Sequence, residues 1–290
     1  MPFIPGSSYA LDAARFLPTL PLYAAGAGLV LWLLHRFWLS RLSPKPASLA
    51  ASPLEKTLVA ALAAVGLLVL CLLVAAAAGS FRASATGWAP FDYPPPRTGS
   101  VRMPIDFLVQ SLSEELLFRG IIMGGIGTLL LLIASRITVH PLPGEPLDSP
   151  RLGLARRRTW LLAGLTANVA QAAVFTTVHL ANPGVTPLAS VNIGLAGFLL
   201  GWLYWSQGSL WGAWTWHFLW NFGLAAAGLP VSGVLASAPL LPLGISGVRG
   251  GLVSGGPFGP EASALCTAGL LATLAGFLVR SRRRRAEEGR

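Results

Sequence analysis

Charge is scarce in this sequence. Asp, Glu, Lys and Arg make up 11% of the 290 residues, whereas the residues AVILMFWYC make up 53%. Soluble proteins carry about 25% charged residues, and a disordered chain would be polar. The apolar residues come in long runs rather than in alternating segments of about 10 residues, which argues against an outer-membrane barrel. The composition therefore predicts a helical integral membrane protein.

Cysteine and the common metal-binding motifs are also scarce. Cys71 and Cys266 lie inside apolar runs and form no CxxC pair, so neither a disulfide framework nor a cysteine-based metal site is indicated. No HExxH motif is present. Asp106 stands alone at the start of an apolar run, so an intramembrane pair of aspartates is not indicated either. The net charge of +10 comes from basic residues beside apolar runs, which favours membrane orientation over nucleic-acid binding.

Seven apolar segments are candidates for membrane spans, because about 20 helical residues cross a bilayer core of about 30 Å. They are 18–36, 56–78, 104–134, 159–181, 187–206, 209–228 and 262–279. The third is long and charged, so we expect it to tilt, kink or project. Prolines and glycines break residues 229–261, which predicts a re-entrant or partly wound segment. The fold prediction is a single all-α, multi-pass domain, 1–290, with about seven transmembrane helices.

The distribution of basic residues predicts the orientation. Fifteen of the 21 Lys and Arg residues fall in 36–56, 136–158 and 280–290, and only five lie on the opposite side. The positive-inside rule places the larger group in the cytoplasm, with the N-terminus outside and 280–290 as a basic cytoplasmic tail. The excess of arginine over lysine is typical of a GC-rich bacterial genome. We therefore expect a bacterial inner membrane protein.

The third span contains three charged residues that would be costly in lipid. Glu114, Glu115 and Arg119 would each cost roughly 2.5–3.5 kcal/mol at the bilayer centre. Glu115 and Arg119 are four residues apart and can pair on one helix face. A buried Glu–Arg pair that only fixes helix packing would explain these two residues, but it leaves Glu114 without a role.

Two later spans carry polar residues at helical spacing. His179 ends the sequence Phe175-Thr-Thr-Val-His179, and His217 lies four residues before Asn221. Polar groups on three apolar spans avoid the free-energy cost of facing lipid when they lie together and form hydrogen bonds with one another. Six tryptophans between 202 and 220 fit an aromatic belt with core packing, and a substrate platform is the alternative.

A converged cluster of this composition suits amide hydrolysis. A glutamate and a neutral histidine can take a proton from water, and His and Asn donors can hold an oxyanion. A rhomboid-type dyad based on Ser209 would leave Glu114, Glu115 and Arg119 unexplained. Two non-protease alternatives stay open: a membrane scaffold or immunity factor, and a proton-coupled transporter, for which no matching halves are evident.

The three motifs together resemble the CPBP family, which contains type II CAAX prenyl endopeptidases, bacteriocin-processing and immunity proteins, and myxosortases. The resemblance covers 104–228, the predicted catalytic core. It implies that Glu114 activates water with help from His179 and that His217 and Asn221 stabilise the oxyanion. It also implies that Glu115 and Arg119 hold the helix in place and that Phe175 packs behind His179. The loop from Gly255 to Glu261 resembles one in bacterial members, without an assigned role.

The same resemblance leaves the cofactor open. We expect a glutamate-and-water mechanism without metal, but two histidines and one glutamate also form a catalytic zinc set. On the predicted orientation, Glu114 lies about 16 Å from the outer end of its span, so the site opens outward. We therefore expect an exported or membrane-tethered protein or peptide as the substrate.

Overall fold

A computed structural model describes residues 52–79, 81–83, 103–234, 243–245 and 251–288. The predicted first span, 18–36, lies outside them, as do several of the basic residues used for orientation. The described part consists of helices joined by turns and loops, with one pair of three-residue strands. Four of its helices are long and apolar enough to cross a membrane, so the prediction of a multi-pass helical protein is confirmed in part. Seven crossings stay a prediction.

The helices and strands follow in this order along the chain. Helix α1 is Pro53–Ala77, and β1 is Phe81–Ala83. Helix α2, Met103–Glu115, continues through a π-helical segment, Leu116–Met123, into α3, Gly124–Thr138. The core helices follow as α4, Pro150–His179, α5, Pro187–Gln207, and α6, Trp211–Ala226. After these come β2, Leu243–Ile245, the short α7, Gly251–Ser254, turns at Gly256–Phe258 and Pro260–Ala262, and α8, Ala264–Glu288.

The long helix formed by α2, the π segment and α3 holds the first motif. Its 36 residues would measure about 54 Å as a regular α-helix, well beyond a bilayer core of about 30 Å. The π segment begins directly after Glu115, and the N–H of Gly124 donates to the carbonyl of Arg119 five residues earlier. Such π insertions often occur at functional sites, because they rotate the following side chains onto a different face. Here the insertion lies within the EExxxR motif.

Helices α4 and α5 pack closely because glycines face buried amides. Asn168 donates its amide to the carbonyl of Phe198 at 3.0 Å, and Gln171 donates to that of Gly197 at 2.8 Å. A Cβ atom on Gly201 would lie 1.9 Å from Oδ1 of Asn168. The GxxxG motif at Gly197 and Gly201 therefore brings together the helices that carry His179 and the carbonyl bound by Arg119.

Two features of the fold differ from the sequence-based description. Strand β1 pairs antiparallel with β2, with Phe81 opposite Ile245. The all-α prediction did not include this small pair of strands. Helix α6 has 16 residues, shorter than the predicted span 209–228 and than a straight crossing requires. In the broken segment 229–261, the described residues form turns, strand β2 and the one-turn helix α7. Its place relative to the bilayer stays a prediction.

The first test concerns the α4–α5 contact. Gly201→Ala should lower stability by about 1–3 kcal/mol, because the new methyl group overlaps the Asn168 amide. The measurement is thermal unfolding of the purified protein in detergent. Gly66→Ala in α1 is the matched control, since its Cβ would meet nothing within 4 Å. Equal unfolding temperatures for the two variants would contradict the proposed tight contact.

Candidate active site

One cavity of about 490 Å³ lies between the three motif-bearing helices. Its lining includes four of the six predicted site residues: Glu114, His179, His217 and Asn221. The other two predicted residues, Glu115 and Arg119, are fully buried and lie outside the lining. The structure thus separates a group that faces the cavity from an ion pair packed behind it.

Glu115 is the centre of the buried group. Its Oε1 accepts a hydrogen bond from Nη1 of Arg119 at 2.7 Å and another from Nδ1 of His217 at 2.7 Å. Nη2 of Arg119 donates to the carbonyl of Gly197 at 3.2 Å. The guanidinium also lies 4.7 Å from the ring centroid of Phe175, within cation–π distance. One ion pair therefore links the long helix to α4, α5 and α6.

Glu114 points into the cavity and is less constrained. Its side chain is 23% exposed, and its Oε1 accepts a hydrogen bond from Nε2 of Gln110 at 3.1 Å. Its Oε2 lies 3.7 Å from Nε2 of His217, which is too far for a direct hydrogen bond. The carboxylate and the imidazole therefore lie side by side at the cavity without a direct hydrogen bond between them.

In both histidines the hydrogen bond made by Nδ1 determines whether the other ring nitrogen, Nε2, carries a lone pair or a proton. Nδ1 of His179 lies 2.7 Å from the carbonyl oxygen of Phe175. Because a carbonyl only accepts, Nδ1 carries a proton and a neutral His179 has its lone pair on Nε2. Nδ1 of His217 likewise donates to Glu115. Its Nε2 therefore donates only when the ring is an imidazolium.

Aromatic rings form the wall behind the imidazoles. The Phe175 ring lies 4.5 Å from the His179 ring and 4.9 Å, edge to face, from the Phe118 ring. Phe175 is also 6.2 Å from the His217 ring. These contacts limit the rotation of both imidazoles, because each ring would have to displace a buried phenyl group to turn. Phe175 therefore packs where the motif resemblance places it.

Sequence reasoning missed a third carboxylate in this cavity. Glu261, in the turn Pro260–Ala262, lines the cavity together with Asn182, Asn192 and Ser232. Its Oε1 accepts a hydrogen bond from Nε1 of Trp220 at 3.1 Å, and its Oε2 accepts one from the backbone N–H of Ser232. The signals in the sequence were an acidic residue at the end of an apolar, glycine-rich loop and the resemblance of that loop to one in bacterial members, which assigned Glu261 no role.

Other candidates from the sequence lie away from the cavity. Oγ of Ser209 accepts a hydrogen bond from the backbone N–H of Trp211 at 3.2 Å, so it is engaged by the backbone at the start of α6. Neither Ser209 nor Asp106 belongs to the cavity lining. In the described part of the chain, no three His, Cys, Asp or Glu side chains are arranged to hold a metal ion. Glu114 and His217 approach each other, but His179 does not complete a three-ligand set with them.

The second test separates the buried ion pair from the cavity-facing carboxylate. Arg119→Met should destabilise the protein by about 3–5 kcal/mol, because it leaves the Glu115 carboxylate buried without its countercharge. Glu114→Gln should cost far less, because Glu114 is partly exposed and makes no ion pair with Arg or Lys among the described residues. Thermal unfolding in detergent measures both variants.

The double variant Glu115→Gln with Arg119→Met is the internal control. It removes both charges and should recover part of the stability lost in Arg119→Met. An Arg119→Met protein that unfolds at the wild-type temperature would show that the ion pair does not hold the site together.

Comparison with protein-family models matches residues 96–223 to the type II CAAX prenyl endopeptidase Rce1-like family. The match contains all three motifs and nearly coincides with the segment 104–228 that the motifs delimit. Comparisons with curated proteins and with solved structures gave no match. Residues 96–223 are therefore similar to the Rce1-like family, and this similarity supports a CPBP family intramembrane protease.

Proposed function

We propose that this protein is an intramembrane endopeptidase that hydrolyses a peptide bond of a membrane-associated protein or peptide, with Glu114 as the catalytic base. One observation carries the proposal. Glu114, His179, His217 and Asn221 line a single cavity, and the ion pair of Glu115 and Arg119 lies directly behind it. A packing role alone would not require four polar side chains to surround an open space, because buried polar groups are cheapest when they bond directly to one another.

The nucleophile in this mechanism is a water molecule held between Glu114 and His179. The Glu114 carboxylate accepts one proton of the water. Nε2 of His179 can accept the other hydrogen bond, since its Nδ1 proton is committed to the Phe175 carbonyl. Two acceptors orient the water and leave one of its lone pairs directed at the substrate carbonyl carbon.

The oxyanion is stabilised by His217 and Asn221. Nδ1 of His217 is bound to Glu115, so a second proton on Nε2 makes the ring an imidazolium flanked by two carboxylates. That proton and the Asn221 amide, one helical turn further along α6, are the two donors toward the cavity. A single donor of this kind typically contributes about 10²–10³ in rate.

The carboxylate of Glu114 alone can accept and return the proton that the reaction transfers. Glu114 takes a proton as the water oxygen bonds to the carbonyl carbon, and negative charge passes to the carbonyl oxygen. Glu114 then returns the proton to the amide nitrogen as the C–N bond breaks. The carbonyl re-forms, and a carboxylic acid and an amine leave the cavity. Glu114 ends ionised, ready for the next water molecule.

We propose that this reaction proceeds without a metal ion. In a zinc protease the metal polarises the carbonyl. The positively charged His217 would supply that function here, and the described donors do not form a three-ligand set. A purified enzyme that keeps its activity in excess chelator would support the metal-free mechanism, whereas activity restored only by added zinc would overturn it.

The substrate and the orientation belong to the same proposal. The excess of arginine over lysine favours a bacterial inner membrane protein, and the bias of basic residues favours an N-terminus outside and a C-terminus in the cytoplasm. The cavity then opens outward, toward exported or membrane-tethered proteins. A prenylated cytosolic protein would require the opposite opening. The lipid bilayer is the second partner, and no nucleic acid is involved.

The third test measures processing in cells. A deletion strain is complemented with wild type, Glu114→Gln or Asp148→Asn, and the termini of its membrane proteins are compared by mass spectrometry. Glu114→Gln should leave the same unprocessed termini as the deletion, because an amide takes no proton from water. His179→Ala and His217→Ala should also be inactive. Asp148→Asn, the same chemical change in an exposed loop, should restore processing.

The membrane-scaffold alternative predicts a different outcome. It requires only that the polar cluster pack, so a folded Glu114→Gln protein would restore the wild-type phenotype. Equal unfolding temperatures of wild type and Glu114→Gln would show that the fold is intact. A folded Glu114→Gln protein with full processing would therefore refute the hydrolytic mechanism.

The fourth test determines the orientation. The loop before α4 contains Asp148, which is exposed, and the native Cys71 and Cys266 are both buried. A membrane-impermeant maleimide should label Asp148→Cys in inverted vesicles and leave it unlabelled in intact cells stripped of their outer barrier. The unmodified protein serves as the background control. Labelling from the outside would reverse the predicted topology and with it the proposed substrate compartment.

A further inference from the structure

Glu261 lies outside the matched family segment but inside the cavity. The match ends at residue 223, whereas Glu261 reaches the lining from the turn before α8. Both of its oxygens accept hydrogen bonds, from the Trp220 indole and from the backbone N–H of Ser232. Burial raises the pKa of Glu261, whereas its hydrogen bonds from Ser232 and Trp220 and the nearby His179 favour the charged carboxylate.

The backbone around Glu261 is held in place to present this side chain. Nδ2 of Asn192 donates to the carbonyl oxygens of Glu261 at 2.7 Å and of Ser263 at 2.8 Å, which joins the turn to α5. Gly259 has a φ of +94°, and a Cβ atom there would lie 2.5 Å from the carbonyl oxygen of Pro230. Only glycine fits this approach, so the position of the Glu261 carboxylate is fixed by its surroundings.

The cavity has an unbalanced charge. Its lining contains two carboxylates, those of Glu114 and Glu261, and no Lys or Arg among the described residues. Glu114 faces His217, but Glu261 forms no ion pair with a Lys or Arg in the described part of the chain. A carboxylate that is taken from water without a countercharge is costly. A cationic ligand would remove that cost.

Two stacked aromatic side chains in the same cavity as Glu261 independently favour a cation. Trp216 and Trp220 both line the cavity, with ring centroids 5.6 Å apart and an interplanar angle of 12°. Their relative exposures are only 1% and 3%, and Nε1 of Trp216 has no hydrogen-bond partner among the described residues. Indole faces attract Lys and Arg side chains, most strongly away from bulk water. A carboxylate that is hydrogen-bonded to one of two stacked indoles in the same cavity thus forms a site that fits an ammonium or guanidinium group.

The spacing along α6 places this site beside the reacting bond. Trp216 and Trp220 directly precede His217 and Asn221, and each pair is four residues apart. Two adjacent faces of one helix therefore carry the aromatic pair and the oxyanion donors. We propose that Glu261, Trp216 and Trp220 form a subsite for the basic side chain, Arg or Lys, of a substrate residue next to the scissile bond. This inference rests on the proposed endopeptidase function and specifies its substrate.

The same charges disfavour a free C-terminal carboxylate at this position. Such a group would face Glu261 and find no Lys or Arg in the described lining, because Arg119 is bound to Glu115 behind the wall. The subsite therefore favours cleavage at an internal bond beside a basic residue.

The fifth test measures selectivity rather than activity alone. The substrates are synthetic peptides with an apolar segment of about 20 residues and a flanking stretch, in which one position at a time is Arg, Gln or Glu. Cleavage of each peptide by the full-length protein is measured in detergent. At one position beside the cleaved bond, kcat/KM should be roughly tenfold or more higher for Arg than for Gln, with Glu poorest. Glu261→Gln should bring the Arg-to-Gln ratio close to one. Glu261→Asp, which keeps the charge, should retain a preference for Arg.

A purely structural role for Glu261 gives a different result. Both variants would then slow the cleavage of all peptides together and leave the ratio unchanged, which would overturn the subsite. A wild-type ratio near one at every position would overturn it as well.

Binding separates this inference from the proposed chemistry. If wild type cleaves no peptide, the same peptides are titrated against Glu114→Gln. Tighter binding of the Arg peptide, by roughly tenfold and lost on adding Glu261→Gln, would support the subsite even though the hydrolytic proposal had failed. Equal affinity for the Arg and Gln peptides would overturn the subsite.

Discussion

The site depends on one carboxylate oxygen. Oε1 of Glu115 is shared by the Arg119 guanidinium and the His217 imidazole, both at 2.7 Å, and all three groups are almost completely buried. Buried charges are tolerated only when they are paired and hydrogen-bonded, so each of these residues restricts the position of the other two. Because they lie on the long helix and α6, the relative placement of these helices is set by electrostatics as well as by apolar packing.

This arrangement also determines the chemical character of the cavity. Glu115 fixes the Nδ1 proton of His217 and turns Nε2 toward Glu114. The Phe175 carbonyl fixes the Nδ1 proton of His179 in the same way. In the proposed mechanism, His179 accepts from water as a neutral ring, whereas His217, bound to a carboxylate, donates to the oxyanion as an imidazolium. Two glutamates adjacent in sequence likewise separate into a buried partner of Arg119 and a partly exposed carboxylate that we propose is the base.

Helical spacing and the cost of buried charge predicted much of this arrangement. The pairing of Glu115 with Arg119 follows from their separation of four residues, and the structure shows this ion pair. The sequence did not predict that His217 would bond to Glu115 rather than Glu114. Adjacent helical residues point about 100° apart, so the choice depends on how the helix is rotated about its axis, and the sequence does not specify that rotation. The π segment after Glu115 shifts that rotation further.

Glu261 escaped prediction for a different reason. It lies in a turn without periodic pattern, 40 residues beyond Asn221, and reaches the site through contacts with Asn192, Trp220 and Ser232. The cavity is therefore completed by residues outside the segment that carries the motifs. This division has a physical consequence. Of the groups proposed to break the bond, His217 is held by the buried ion pair, where most substitutions would cost stability. The carboxylate proposed to recognise the substrate, Glu261, sits on a turn, where a new side chain could change specificity without disturbing that pair.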